Sequence, residues 1–223
     1  MKRVPRRPDT AGRAALALYR PLPLVARAHV GVRWWTAPFP AVAAELPPRG
    51  RILEIGCGHG LFAAYAALGA SGRDVLGTDI DRDKVALAQR AAQPLAPRLR
   101  FETAVSGAVP SGPWDAVAIL DVLYLLPEPD QHALVRACAA ELAPGGVLLV
   151  KEMAQTPAWK ARWNRLQETL AVKVLRITEG HDFDFVPTEQ VCRWLAEAGL
   201  DTEVRALDRG RVHPHHLVIG RRP

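Results

Sequence analysis

Three glycines at alternate positions follow a carboxylate in residues 51–60, which read RILEIGCGHG. The apolar residues at 52–55 predict a short buried strand, and a helical pattern begins directly after the last glycine. A strand, a glycine turn and a helix together bring backbone N–H groups and a helix N-terminus against a ligand. Glu54 lies at the carboxyl end of the predicted strand, where open α/β sheets bind ligands. The glycines permit a tight bend and the close approach of a bulky group: Gly56, Gly58 and Gly60.

A second acid follows about twenty residues later. Residues 74–79 predict another strand, and Asp79 ends it. A carboxylate at this place accepts hydrogen bonds from ribose hydroxyls in nucleotide-binding βαβ units. The glycine order is E-x-G-x-G-x-G, however, and not the G-x-G-x-x-G of dinucleotide sites.

The rest of the chain alternates between helical and strand patterns, which indicates a parallel α/β sheet. Helix caps are predicted at Asp81, Asp130 and Thr188. The further strands are predicted at 99–105, 114–121, 147–151, 200–207 and 211–220, and the helices at 84–92, 132–142 and 188–198.

Four elements in this order resemble the S-adenosylmethionine (SAM)-dependent methyltransferases: the 54–60 motif, Asp79, WDAVAILD at 114–121 and LAPGG at 142–146. The resemblance covers about residues 50–221. It implies a Rossmann-like α/β fold with a seven-stranded, mostly parallel sheet, an antiparallel last strand and helices on both faces. It also implies SAM as the cofactor.

The resemblance also implies which residues bind SAM. Many family members carry an acid after the third strand that holds the adenine amino group, but this chain has Ala104 and Val105 there. A main-chain contact would serve instead. Ile80, after the ribose acid, matches a position that often packs on adenine. The full set of predicted cofactor residues is Glu54, Gly56, Cys57, Gly58, Gly60, Asp79, Ile80, Ala104, Val105 and Asp121.

Methyl transfer is an in-line displacement that needs alignment, and a hydroxyl nucleophile also needs a base. The candidate catalytic residues are His181, Asp121 and Tyr124, with His215 and His216 less favoured. We prefer His181 because its imidazole titrates near physiological pH, although it could equally be a surface-loop histidine. Asp121 could instead bind the methionine end of SAM or be structural.

Neither a metal site nor a disulfide framework is predicted. Cys57, Cys138 and Cys192 are far apart, odd in number and form no CxxC pair. His215 and His216 are adjacent in a predicted strand, so their side chains point to opposite faces.

The net charge of +6 is concentrated at one end of the chain. Residues 1–35 contain eight Lys or Arg and one acid, whereas the remainder is near neutral. We therefore divide the chain into a basic, aromatic N-terminal extension at 1–49 and a SAM-binding domain at 50–223 with an acceptor-side insert at 152–187. The extension could cap the SAM site, contact an anionic membrane, or form a solvated tail with ordinary helices.

The leading hypothesis is methyl transfer, favoured at oxygen, to a small or lipid-like hydrophobic acceptor. Alternatives are an RNA or protein methyltransferase and a SAM-binding accessory protein without turnover. An Asn-Pro-Pro-Tyr-type motif is missing after the fourth predicted strand, so nucleic acid is not favoured as the substrate.

No apolar run approaches the ~20 residues of a membrane span, and no secretory signal is evident. The sequence predicts a cytoplasmic protein with a peripheral membrane contact as an option. Aromatic residues predicted to wall the acceptor pocket are Trp34, Trp35, Phe39, Trp159, Trp163, Phe183 and Phe185.

Overall fold

The computed structural model describes residues 7–153, 184–207 and 215–223. His181, the aromatic residues 159, 163 and 183 of the predicted insert, and the first part of the predicted last strand lie outside these residues. No helix in the described ranges is long and apolar enough to cross a membrane.

The described residues form seven α-helices and seven β-strands. The helices are α1 (Thr10–Ala17), α2 (Leu24–Thr36), α3 (Phe39–Ala43), α4 (Leu61–Gly69), α5 (Arg82–Ala92), α6 (Glu128–Ala140) and α7 (Thr188–Glu197). The strands are β1 (Arg49–Ile55), β2 (Gly72–Asp79), β3 (Leu99–Thr103), β4 (Trp114–Leu120), β5 (Leu142–Met153), β6 (Asp201–Ala206) and β7 (His215–Arg221).

The strands form one sheet in the order β3-β2-β1-β4-β5-β7-β6. β1 pairs in parallel with β2 and β4, whereas β7 is antiparallel to both of its neighbours. This arrangement confirms the predicted Rossmann-like α/β fold with a mostly parallel sheet. The strand order reverses between β1 and β4, and such a switch point opens a crevice at the carboxyl ends of the strands.

Two apolar layers sandwich the sheet. In one layer, the five helices from α1 through α5 pack on one face of the sheet. In the other layer, α6 and α7 pack on the opposite face. Helix α4 is buried from Leu61 to Ala67, because the sheet covers one side of it and the N-terminal helices pack on it as well. A helix that is apolar on all sides, such as this one, requires burial on all sides.

The helix caps differ in part from the prediction. Asp81 caps α5 as predicted, accepting hydrogen bonds from the N–H groups of Asp83 and Lys84. Helix α6 begins at Glu128 after Pro127, so Asp130 lies inside the first turn and is not the cap. Helix α7 is preceded by Pro187, and the Thr188 hydroxyl contacts His216 Nδ1 at 3.0 Å. In both cases the fixed φ of proline starts the helix earlier than the side-chain cap signal suggested.

Candidate functional site

The glycine turn after β1 has two distinct steric requirements. At Gly56 (φ +69°), an added Cβ would lie 2.3 Å from Val122 Cγ2, so the turn packs tightly on the segment that follows β4. At Gly58 (φ +53°), an added Cβ would meet no protein atom within 4 Å. Gly58 is therefore required for its left-handed backbone, and the space beside it is open to a ligand.

Glu54 joins the end of β1 to the start of α4. Its Oε2 accepts a hydrogen bond of 2.9 Å from the N–H of Ala63 in the first turn of α4. The N-cap residue Gly60 has no side chain, so Glu54 satisfies a helix N–H that would otherwise lack a partner. Burial raises the pKa of Glu54 to about 8, although the Ala63 N–H and Arg33 oppose the shift. A cation bound beside Glu54 would favour its ionised form.

Asp79 fixes the glycine turn to the end of β2. Its Oδ2 accepts from the N–H of Gly58 at 2.6 Å, and its Oδ1 accepts from the N–H of Asp81 at 2.9 Å. The N–H of Cys57 donates to the carbonyl of Thr78 at 2.9 Å, while burial raises the pKa of the Cys57 thiol. Each Asp79 oxygen retains a lone pair for a further donor such as a ribose hydroxyl.

The predicted adenine side lies where β2 and β3 end. Ile80 is 64% exposed and Val105 is 80% exposed, so both expose apolar surface at this edge. The N–H of Ala104 donates to the carbonyl of Asp79 at 2.9 Å and is therefore already engaged. A main-chain contact to the adenine amino group would therefore use a carbonyl oxygen of this segment, because an amino group needs an acceptor.

Asp121, directly after β4, is held by two cations. Its carboxylate lies 2.5 Å from Lys151 Nζ and 2.9 Å from Arg33 Nη1. Burial alone would raise the pKa of Asp121, but the charges of Lys151 and Arg33 lower it. Its backbone is left-handed (φ +60°), a strained conformation for a residue with a side chain. Because both oxygens are engaged by cations, Asp121 is poorly placed to take a proton.

Tyr124 also follows β4, three residues after Asp121. Its ring stacks on Phe185 with centroids 4.9 Å apart, and the N–H of Asp184 donates to the Tyr124 carbonyl at 3.1 Å. Burial, Asp121 and Glu152 raise the pKa of Tyr124. Its hydroxyl therefore stays protonated and is suited to donating a hydrogen bond, not to acting as a base.

Glu152 is a site residue that our sequence analysis did not single out. It follows Lys151, the register partner of Leu120, and so lies beside the end of β4. Its Oε1 accepts from the N–H groups of Val122 and Leu123 at 3.3 and 3.1 Å. Burial and the charge of Asp121 raise its pKa to about 8. Its position at the carboxyl end of a strand next to the switch point was the signal available in the sequence.

The N-terminal helices contact the segments that follow β1 and β4. The Tyr19 hydroxyl donates to the carbonyl of His59 at 2.7 Å, and the rings of His29 and His59 have centroids 4.7 Å apart. Arg33, one turn after His29 on α2, binds Asp121. Helix α2 thus contacts both the glycine turn and the end of β4. The i,i+4 spacing of His29 and Arg33 places both residues on one face of α2 but does not identify what that face contacts.

Among the described residues, no group of three or more His, Cys, Asp or Glu side chains is arranged to hold a metal ion.

A family model described as a methyltransferase domain matches residues 29–203 of this chain. The chain belongs to this family. A ubiquinone biosynthesis O-methyltransferase of Xanthomonas axonopodis pv. citri is 32% identical over 191 residues, covering 77% of each chain. A protein of the same name from Xanthomonas campestris pv. campestris (strain B100) is 31% identical with the same coverage.

Solved structures share the fold. An O-methyltransferase family protein from Burkholderia thailandensis superposes with a TM-score of 0.71 at 20% identity, covering 89% of this chain and 58% of that one. Magnesium protoporphyrin IX methyltransferase from Synechocystis PCC 6803, solved with bound SAH, gives a TM-score of 0.63 at 19% identity, covering 96% of this chain and 95% of that one.

The protein is therefore a SAM-dependent methyltransferase, and SAM is its cofactor. The geometry fits this cofactor. The open face of Gly58 leaves space beside Asp79, whose remaining lone pairs suit ribose hydroxyls. The buried carboxyl of Glu54 suits a ligand that carries positive charge.

Proposed function

We propose that this methyltransferase transfers the methyl group of SAM to a hydroxyl oxygen of a small or lipid-like hydrophobic acceptor. The observation that carries the proposal is the composition of the site where β4 and β5 end. The stacked rings of Tyr124 and Phe185 lie beside the carboxyl groups of Asp121 and Glu152. Such a site combines an aromatic wall for an apolar molecule with groups that orient or deprotonate a hydroxyl. The names of the relatives support oxygen as the methylated atom.

We assign SAM binding to the residues predicted from the sequence. Glu54, the glycine turn with Cys57, and Asp79 would hold the methionine and ribose portions, and Ile80 and Val105 would flank the adenine. SAM supplies a methyl group on a positively charged sulfur, which is already activated. The chain itself then has to align the acceptor oxygen with that methyl group, exclude water and receive the hydroxyl proton.

We further propose that residues 1–49 form a cap over the cofactor and that the 152–187 insert forms the opposite wall of the acceptor pocket. The contacts of Tyr19 and His29 with His59, and of Arg33 with Asp121, support the cap. His181 of the insert, outside the described residues, remains the base candidate proposed from the sequence. A His181→Ala variant should lose at least tenfold in turnover if it has this role, consistent with the roughly 10²–10⁴-fold contribution of general-base catalysis.

The proposal is tested by offering the enzyme methyl-labelled SAM with octylcatechol as the acceptor. Matched probes are octylaniline, which offers nitrogen in place of oxygen, and total RNA, which tests the alternative substrate class. We expect label in octylcatechol and in neither of the other probes. Transfer to the aniline or to RNA without transfer to the catechol would contradict the proposal.

We also propose that the N-terminal helices contact an anionic membrane, which would give access to a lipid-like acceptor. Helix α2 has an exposed apolar surface formed by Leu24, Val25, Val32 and Trp35, which are 60–83% exposed. A cavity of about 420 Å³ lies beside it, between α1 and α2, and Arg20 and Arg27 help to line it. Apolar surface beside exposed arginines is complementary to an anionic lipid surface.

Flotation with phosphatidylglycerol vesicles tests this contact. Deleting residues 1–35 would uncover the core, because Ala26, Val30 and Trp34 are buried, so point substitutions are the better probe. We expect Val32→Glu combined with Trp35→Glu to abolish flotation, and the control Val204→Glu, on exposed surface of β6, to leave it unchanged. Equal flotation of the wild type and the double variant, or no flotation of the wild type, would refute the membrane contact.

A further inference from the structure

Two carboxyl groups lie side by side where β4 and β5 end, and their surroundings differ. Asp121 is neutralised by Lys151 and Arg33 at 2.5 and 2.9 Å. Glu152 accepts hydrogen bonds from two main-chain N–H groups. Paired carboxyl groups whose surroundings push their proton affinities apart are a recurrent arrangement for acid–base catalysis.

The hydrogen bonds hold Glu152 in a fixed orientation. Both N–H groups, of Val122 and Leu123, bind the same oxygen, Oε1. The residue as a whole is only partly buried. Val122 also packs against Gly56 of the glycine turn, since an added Cβ there would lie 2.3 Å from it. The segment that orients Glu152 therefore touches the wall of the proposed cofactor site.

We propose that Glu152 is the catalytic residue that accepts the proton of the acceptor hydroxyl, and that the main-chain N–H groups of Val122 and Leu123 position it. The inference rests on the proposed O-methylation. The acceptor oxygen forms the new O–C bond while the bond between the methyl carbon and sulfur breaks, and the hydroxyl proton passes to the Glu152 carboxylate. The products are the methyl ether, neutral S-adenosylhomocysteine and protonated Glu152, which returns its proton to solvent.

The charged surroundings of Glu152 predict how turnover depends on pH. Burial and the charge of Asp121 raise the pKa of Glu152 to about 8, while Lys151 opposes the shift. A base acts in its deprotonated form, so turnover should rise with pH and level off above about pH 8. Among the described residues, the titratable and charged groups around Glu152 are Asp121 and Tyr124 after β4, Lys151 on β5, Arg33 on α2, and His216, its register partner on β7.

The test compares two acceptors that differ in their need for a base. Glu152→Gln keeps a carbonyl oxygen that can accept both N–H groups but cannot take the proton. With octylcatechol we expect kcat to fall by roughly 10²–10⁴-fold. With a nitro-substituted octylcatechol, whose hydroxyl is already ionised at the assay pH, kcat should fall by no more than a few-fold. Calorimetry should give SAM affinity within about a factor of two of the wild type.

The possible outcomes separate the two proposals. An equal loss with both acceptors would mean that Glu152 is structural, and an unchanged rate with octylcatechol would mean that it is not the base. If His181→Ala shows the acceptor-dependent loss and Glu152→Gln does not, the inference is also wrong. A wild-type enzyme that methylates neither acceptor would refute the proposed function, and the inference with it.

Discussion

The crevice has two sides that are built differently. At the ends of β1 and β2, on the proposed cofactor side, carboxylates are satisfied mainly by main-chain N–H groups, as in the bonds from Gly58 to Asp79 and from Ala63 to Glu54. At the ends of β4 and β5, on the proposed acceptor side, Asp121 is satisfied by side-chain cations from α2 and β5, while the neighbouring Glu152 accepts from main-chain N–H groups. Main-chain donors stay in place when a neighbouring side chain is substituted, whereas a cation is lost with its side chain.

This difference predicts which substitutions affect folding and which affect binding. At the end of β4, removing Lys151 leaves the buried charge of Asp121 with one partner fewer, so the free energy of unfolding should fall. At the ends of β1 and β2, substituting a carboxylate removes the acceptor of a main-chain N–H but leaves no buried charge without a partner, so ligand affinity should suffer more than stability.

The largest effect on stability should follow Lys151→Met, which retains the apolar stem and removes the charge. Asp121 would keep only the partly exposed Arg33 as a partner. Breaking a buried ion pair from one side costs about 3–5 kcal/mol, which urea denaturation measures as a lower free energy of unfolding. The surface pair of Arg100 and Asp74 provides the control, because Arg100→Gln should cost less than about 1 kcal/mol. If both variants lowered the free energy of unfolding equally, burial would not make the Lys151–Asp121 pair more important for stability than the surface pair.

Asp79→Ala should have the next largest effect, this time on SAM binding. The variant loses the anchor of the Gly58 N–H and the proposed partner of the ribose hydroxyls. Hydrogen bonds to a charged group contribute about 1.5–3 kcal/mol, so calorimetry should show a roughly ten- to hundredfold weaker affinity. Asp74→Ala, on the same strand but outside the turn, should bind SAM normally. Unchanged affinity in Asp79→Ala would remove this residue from the proposed site.

SAM affinity should depend on pH through Glu54. Because its pKa is raised to about 8 in the free protein, Glu54 is mostly protonated at pH 6–7. If the cationic cofactor favours the carboxylate, binding releases a proton, and affinity increases with pH by up to about tenfold per unit below pH 8. Calorimetry in two buffers of different ionisation enthalpy measures the released proton. Glu54→Gln should abolish both the release and the slope, and a slope that persists would implicate another group.

The smallest effect should come from Gly58→Ala. Both Gly58 and Gly107 have a positive φ, and an added Cβ meets no protein atom at either position. Each alanine should therefore cost a similar 1–2 kcal/mol of stability through backbone strain. Only Gly58→Ala should also weaken SAM binding, because its Cβ would enter the proposed cofactor space. Equal SAM affinities for the two variants would place that space elsewhere.

The strands around the proposed cofactor site could be predicted because their signals are close together in the sequence. The motif at 54–60 and Asp79 identify their own strands, and the family resemblance supplies the remaining sheet. The mostly parallel seven-stranded sheet and its antiparallel last strand were predicted in this way and are confirmed. The positions of helix caps were less predictable, since proline and an acidic side chain both signal a helix start.

The acceptor side could not be predicted in the same way, because its contacts join distant parts of the chain. The pair of Arg33 and Asp121 spans 88 positions, and nothing in the spacing of α2 identifies that partner. Glu152 was overlooked because a single acid after an apolar strand carries no motif. Its raised pKa follows from burial and from the neighbouring Asp121, and both depend on the register of β4 with β5.

The burial of α4 has a consequence for hydrogen exchange. Amides in a helix that is enclosed by the sheet and the N-terminal helices exchange through large-scale unfolding, which is the slowest route. The amides of α4 should therefore be among the last in the molecule to exchange. The first turn of α4 holds Glu54, so the proposed cofactor site rests on the part of the protein that opens most rarely, and motions that admit the acceptor must arise elsewhere.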